Sequence, residues 1–128
     1  MVIEIKSALQ SFSNAEKKEY LPRFFKAGKG EYAEEDEFIG VTVPNQRIVA
    51  TAYFQKISLK NLEELLSSKI HEHRHCALFM LVFKYEKAKN LKERTELVEF
   101  YLKNKKHVNN WDLVDTSCYK ILGNFCFE

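Results

Sequence analysis

The strongest constraint on this chain is an eight-residue apolar run, CALFMLVF, from Cys76 to Phe83. It is far too short to span a bilayer. It sits inside a longer stretch, roughly Lys69 to Lys87, that reads as one helix. A helix apolar on nearly every side must lie centrally, with neighbours on several faces. The rest of the chain therefore has to supply those neighbours, and its apolar spacing shows how.

Val2, Ile5, Leu9 and Phe12 recur at helical spacing, so a first helix is expected from Val2 to Phe12. Ser13 or Asn14 caps a second, with Glu16 and Glu19 early and Tyr20, Leu21, Phe24 and Phe25 along it. Pro22 kinks that helix or opens a new turn, and Gly28 and Gly30 stop it. A third helix follows Pro44, with Ile48, Val49, Ala52 and Tyr53 on its inner side. Ser58 caps a fourth carrying Leu59, Leu62, Leu65 and Leu66. Asn90 and Glu93 have capping-box spacing ahead of Leu91, Leu97, Val98 and Tyr101. A last helix carries Trp111, Val114, Asp115, Cys118, Tyr119 and Leu122, up to Gly123. With four Gly and two Pro in 128 residues, a turn-rich β-fold is disfavoured. The expectation is an all-α fold in one domain, residues 1–128, of successive antiparallel helix pairs. That is the material of an α-solenoid, although no strict repeat period is visible.

Two segments break the helical pattern. Gly28 to Pro44 is a long irregular stretch, expected to be either functional or packed down by its own apolar cluster, Phe38, Ile39, Val41 and Val43. Its Gly28-Lys29-Gly30 lacks the spacing of a nucleotide-phosphate loop. Charge is unevenly distributed. Glu31, Glu34, Glu35, Asp36 and Glu37 form an acidic stretch, whereas eight Lys and Arg face four Glu between Lys84 and Lys106. That basic segment reads either as a solvated helix face or as a surface that meets phosphate. Cys76, Cys118 and Cys126 show no CxxC spacing and are expected to be reduced, mostly core thiols. MVIEIKSALQ holds Glu4 and no small-residue cleavage pattern, so neither a signal peptide nor a membrane partner is expected. The localisation expected from these features is cytoplasmic.

Two constellations invite chemistry. HEHRH places His71, Glu72 and His75 at the spacing of the zinc-protease HExxH motif. No third ligand with plausible spacing follows, so no metal or other cofactor is expected, and the segment reads as a polar helix start. In NNWDLVD, Trp111 and Asp115 lie one helical turn apart on one face. An indole beside a carboxylate suits a ligand that is cationic or becoming so. The plainer alternatives are a core tryptophan and a solvated aspartate.

FFKAGKGEYAEEDEFIGVTVPNQR, from Phe24 to Arg47, and the later NNWDLVD resemble the AlkD-like DNA alkylation repair family of HEAT-like repeat DNA glycosylases. The intervening SLKNLEELLSSKIHEHRHCALFMLVFKYEKA and ERTELVEFYLKNKKHVNNWDLVD resemble its middle helices, so the likeness runs from Tyr20 to Gly123. It implies excision of positively charged N3- or N7-alkylated purines from duplex DNA lying in a basic concave groove. It implies that Asp115 is the catalytic aspartate and Trp111 the tryptophan one turn before it. Thr42 and Pro44, in IGVTVP, match loop residues near the DNA, with Arg47 following them. Tyr32 is a looser match to an aromatic near the lesion, and some members carry glutamine where Thr42 stands. Members also continue through further repeats that carry an arginine and a second tryptophan of the site. The chain is thus expected to be an N-terminal portion, with self-association through its last helix or marginal stability as the consequence. A competing expectation is a non-catalytic helical-repeat module that binds DNA or protein.

Overall fold

The structure is a computed structural model that describes residues 1–13 and 37–104. Among these residues the regular structure is helical: α1 (Val2–Ser11), α2 (Val43–Tyr53), α3 (Leu59–Leu66), α4 (His71–Lys87) and α5 (Leu91–Lys103). The fold is all-α, in keeping with a helical-repeat arrangement. The expected second and last helices, the acidic stretch from Glu31 to Asp36, and Cys118 and Cys126 lie outside the described residues. No described helix is long and apolar enough to cross a membrane.

Helix α4 is the centre. Its residues from His71 to Val82 are all buried, and Tyr85 extends that burial toward its end. Helices α1, α2, α3 and α5 all pack against it. The expectation drawn from CALFMLVF therefore holds. Ile5 and Leu9 from α1, Val49 and Ala50 from α2, Leu62, Leu65 and Leu66 from α3, and Leu97 and Val98 from α5 join the same core. Cys76 is a free, buried thiol, and burial pushes its pKa up to about 12.

The caps follow local chemistry. Ser58 Oγ accepts the Asn61 N–H at 3.2 Å, starting α3. Asn90 Oδ1 accepts the Glu93 N–H at 2.9 Å, and Glu93 reaches back to the Lys89 N–H at 2.7 Å. This is the capping-box logic displaced by one residue at its return bond. An exposed ion pair, Lys103 to Glu63 at 3.6 Å, joins α5 to α3 and contributes little.

Several expectations are corrected. Ile48 is 58% exposed and Ala52 is exposed as well, so neither lies on the inner side of its helix. The buried face of α2 is instead Gln46, Val49 and Ala50, because α4 covers that side. Leu91 is exposed rather than packed, since it opens the first turn of α5 before that helix meets the core. Helix α1 closes at Ser11 with Phe12 as its cap and α4 begins at His71, both within two residues of the approximate bounds expected.

HEHRH is the polar helix start expected of it, opening α4, and the structure adds that His71, Glu72, His73, Arg74 and His75 are all buried. The segment from Glu37 to Val41 packs over the first two, His71 and Glu72, while His73 and Arg74 meet Ser68. Glu37 forms an isolated parallel bridge with Ile70, its N–H donating to Lys69 O at 2.9 Å and its carbonyl accepting from the His71 N–H at 2.8 Å. Phe38 stacks on the His71 ring at 4.9 Å. Phe38, Ile39 and Val41 are buried, as their apolar character required.

Burial sets the charge of His73. Its Nδ1 lies 2.9 Å from Ser68 Oγ, which itself accepts the Ile70 N–H. Burial first, then the positive charges of Lys6 and Arg74, push its pKa down to about 4 from 6.5. The folded protein thus holds a neutral ring that the unfolded chain protonates. This group's contribution to stability is complete above pH 6.5 and is lost as pH falls toward about 4.

Two outcomes follow for stability. Leu78→Ala removes a fully buried side chain of α4 and should cost about 2–5 kcal/mol, whereas Ile48→Ala should stay within about 0.5 kcal/mol. Urea unfolding checks both, and equal losses would contradict the outward placement of Ile48 on α2. His73→Gln should weaken the acid destabilisation expected between pH 6.5 and 4. Parallel stability curves for parent and variant across that window would contradict the neutral ring.

Candidate nucleic-acid interface

The entry into α2 is built from a buried carboxylate. Glu72, on the first turn of α4, is 0% exposed. Its Oε2 accepts the backbone N–H groups of Gly40 at 2.8 Å, Val41 at 3.0 Å and Ile39 at 3.2 Å. Its Oε1 accepts the Ile39 N–H as well, at 3.2 Å. Three successive amides thus converge on one carboxylate, an arrangement backbones commonly offer to anions. Gly40 has a φ of 80°, a left-handed conformation that glycine adopts without steric cost. Ser13 at the end of α1 donates its hydroxyl to the Ile39 carbonyl from the other side.

This clamp leads directly into α2. Thr42 is the N-cap, with extended φ and ψ of −70° and 157°, and its side chain makes no capping bond. Pro44 sits in the first turn, where its missing N–H is not required. Gln46 is buried and donates from Nε2 to Val41 O at 2.9 Å, tying the helix back to the clamped segment. Cys76 Sγ on α4 lies 3.7 Å from the Gln46 carbonyl.

Arg47 is exposed, with its guanidinium over the Phe79 ring at 5.1 Å from the centroid. Phe79 belongs to an aromatic row on α4: the His71 and His75 rings are 5.6 Å apart, His75 and Phe79 4.5 Å, and Phe79 and Phe83 6.3 Å. A cation against a ring face keeps its charge while its orientation is restricted. Of the DNA-contact candidates, Thr42, Pro44 and Arg47 therefore share the first turns of one helix. Tyr32, Trp111 and Asp115 lie outside the described residues.

The HExxH letters do not assemble as in a zinc protease. Glu72, which would serve as the base, is committed to backbone amides. Among the described residues, no group of three His, Cys, Asp or Glu side chains gathers in a way that could hold a metal. The clamping role of Glu72 is not foreshadowed by any motif. Its one trace in the sequence is an acidic residue shortly before a run that has to be buried.

The basic segment after Lys84 forms part of an open groove of about 580 Å3, lined by Lys84, Lys87 and Lys89 but also by Glu93 and Glu96. Burial pulls the Lys84 pKa below its usual value. The mixed charge makes this groove less basic than the residue count suggests, and Thr42, Pro44 and Arg47 are not among its lining residues.

A family model described as DNA alkylation repair enzyme matches residues 5–128. No curated protein and no solved structure matches the chain. The family match spans the clamped segment, α2 and NNWDLVD together, and on that extent the chain belongs to the DNA alkylation repair enzyme family.

Proposed function

We propose that this chain serves DNA alkylation repair as a glycosylase, releasing positively charged N3- or N7-alkylated purines from duplex DNA through a HEAT-like helical surface. The observation that carries the reading is the family match over residues 5–128, which includes both the start of α2 and the Trp111–Asp115 pair. The chemistry is self-consistent. An alkylated purine carries a positive charge that is relieved when its glycosidic bond breaks, so it leaves readily. The deoxyribose is left with oxocarbenium character. A carboxylate beside that sugar stabilises the developing charge and can orient the attacking water. In this reading Asp115 supplies the carboxylate and Trp111 the wall against the sugar. Tyr32 stands near the lesion.

The start of α2 supports the DNA-binding half of the proposal. Arg47 presents a guanidinium at the surface, and Thr42 a side chain not used in capping, both on backbone held by a buried clamp. A planar, always-charged group restricted in orientation suits phosphate recognition.

Base release from duplex DNA carrying 7-methylguanine tests the chemistry. Asp115→Asn should lower the rate by about 10²–10³-fold, the size typical of one lost electrostatic partner. Release at the uncatalysed rate from both proteins would sink the glycosylase reading. DNA binding tests the interface: Arg47→Ala should reduce the slope of log affinity against log salt by about 0.9, one phosphate contact. An unchanged slope would remove Arg47 from the interface.

A further inference from the structure

We infer that Glu72 is a positioning residue for DNA binding: by holding the amides of Ile39, Gly40 and Val41, it sets the start of α2 and with it Thr42 and Arg47. The inference rests on the proposed DNA-binding role of that helix start and adds a buried residue, remote from any DNA, on which it depends.

The connection is continuous and short. Glu72 receives three successive backbone N–H groups at 2.8–3.2 Å. The last of these belongs to Val41, the residue before the N-cap Thr42. Gln46, one residue before Arg47, closes back onto the Val41 carbonyl at 2.9 Å. Arg47 then meets Phe79, seven positions after Glu72 on the same helix. The clamped segment and the guanidinium are thus both referenced to α4, the most buried element among those described.

The chemistry at the clamp favours a carboxylate. An ionised carboxylate only accepts hydrogen bonds, which is what three converging N–H donors require. Charge-assisted bonds of this kind are about twice as strong as neutral ones. Glutamine has nearly the same shape and can keep its one oxygen toward the Gly40 and Val41 amides, but it loses the charge that strengthens those bonds and turns an NH2 donor toward the Ile39 N–H that Oε1 accepts. Glu72→Gln therefore loosens the clamp while adding no bulk. Gly40→Ala disturbs the clamp from the opposite side, by placing a Cβ on a residue whose φ is 80°.

The test is a double-mutant cycle on duplex DNA binding, with wild type, Glu72→Gln, Arg47→Ala and the double variant. Each protein is measured at salt concentrations where thermal unfolding shows it to be folded. Glu72→Gln should weaken binding about three- to tenfold and reduce the salt slope by about 0.9, as Arg47→Ala does. The double variant should bind no worse than Arg47→Ala, because both changes remove the same contact. Gly40→Ala should couple to Arg47→Ala in the same way, and it carries the test if Glu72→Gln does not fold. A purely structural role would lower the melting temperature, leave the affinity and slope of the folded protein unchanged, and show no coupling. That result would overturn the inference.

Base release from 7-methylguanine DNA, measured alongside, separates the two readings. Wild type that binds DNA without catalysing release would defeat the glycosylase chemistry while the cycle still judges Glu72. Wild type that shows no salt-dependent DNA binding would overturn the positioning role of Glu72 as well.

Discussion

A helix whose middle is apolar on every side has no stable position except between other helices, and α4, through CALFMLVF, is such a helix. Its burial from His71 to Val82 determines where α1, α2, α3 and α5 can lie, because each must present an apolar face to it. The packing gain for side chains such as Leu78, Met80 and Leu81, all at 0% exposure, depends on having all those neighbours present together. The core is therefore one cluster rather than a series of separate helix pairs.

The same burial creates a difficulty at the N-terminal end of α4, where five polar or ionisable residues precede the apolar run. A buried charge is costly unless it is paired and hydrogen-bonded. The segment from Glu37 to Val41 resolves this for Glu72 by supplying three N–H donors, and the stacked Phe38 ring covers His71. His73 meets the requirement differently, by remaining neutral beside Ser68. One consequence reaches the surface. The backbone that satisfies Glu72 is the backbone that begins α2, so a requirement of the core fixes the presentation of Thr42 and Arg47.

Membership in the DNA alkylation repair enzyme family suggests DNA as a partner, and the proposed division of labour on that partner is chemically sensible. Excision of a cationic base asks little of an enclosing pocket, because the leaving group is already activated. It asks instead for backbone grip and for an anion near the sugar. Arg47 held against Phe79 is suited to grip, and the Trp111–Asp115 spacing is suited to the second task.

Much of the helical fold was legible in the sequence because it depends on neighbours a few residues apart. Ser58 and Asn90 cap their helices through N–H groups three residues on, and the CALFMLVF run announced its own central position. The likeness of Phe24–Arg47 and NNWDLVD to a repair family was legible too, and the family match bears it out. The inner face of α2 was not legible. Ile48 and Gln46 differ by two positions, and only the location of α4 decides that the polar one is buried and the apolar one exposed. The burial of HEHRH was hidden for a related reason, since the residues that meet His71 and Glu72 come from Glu37 to Val41, more than 30 positions away in sequence. Among the described residues, the sequence by itself determined which segments are helical and which helix must be central, since periodicity and capping are local. Only the tertiary structure decided what Glu72 does, because its partners Ile39, Gly40 and Val41 lie 31 to 33 residues away and meet it only once the chain has folded over α4.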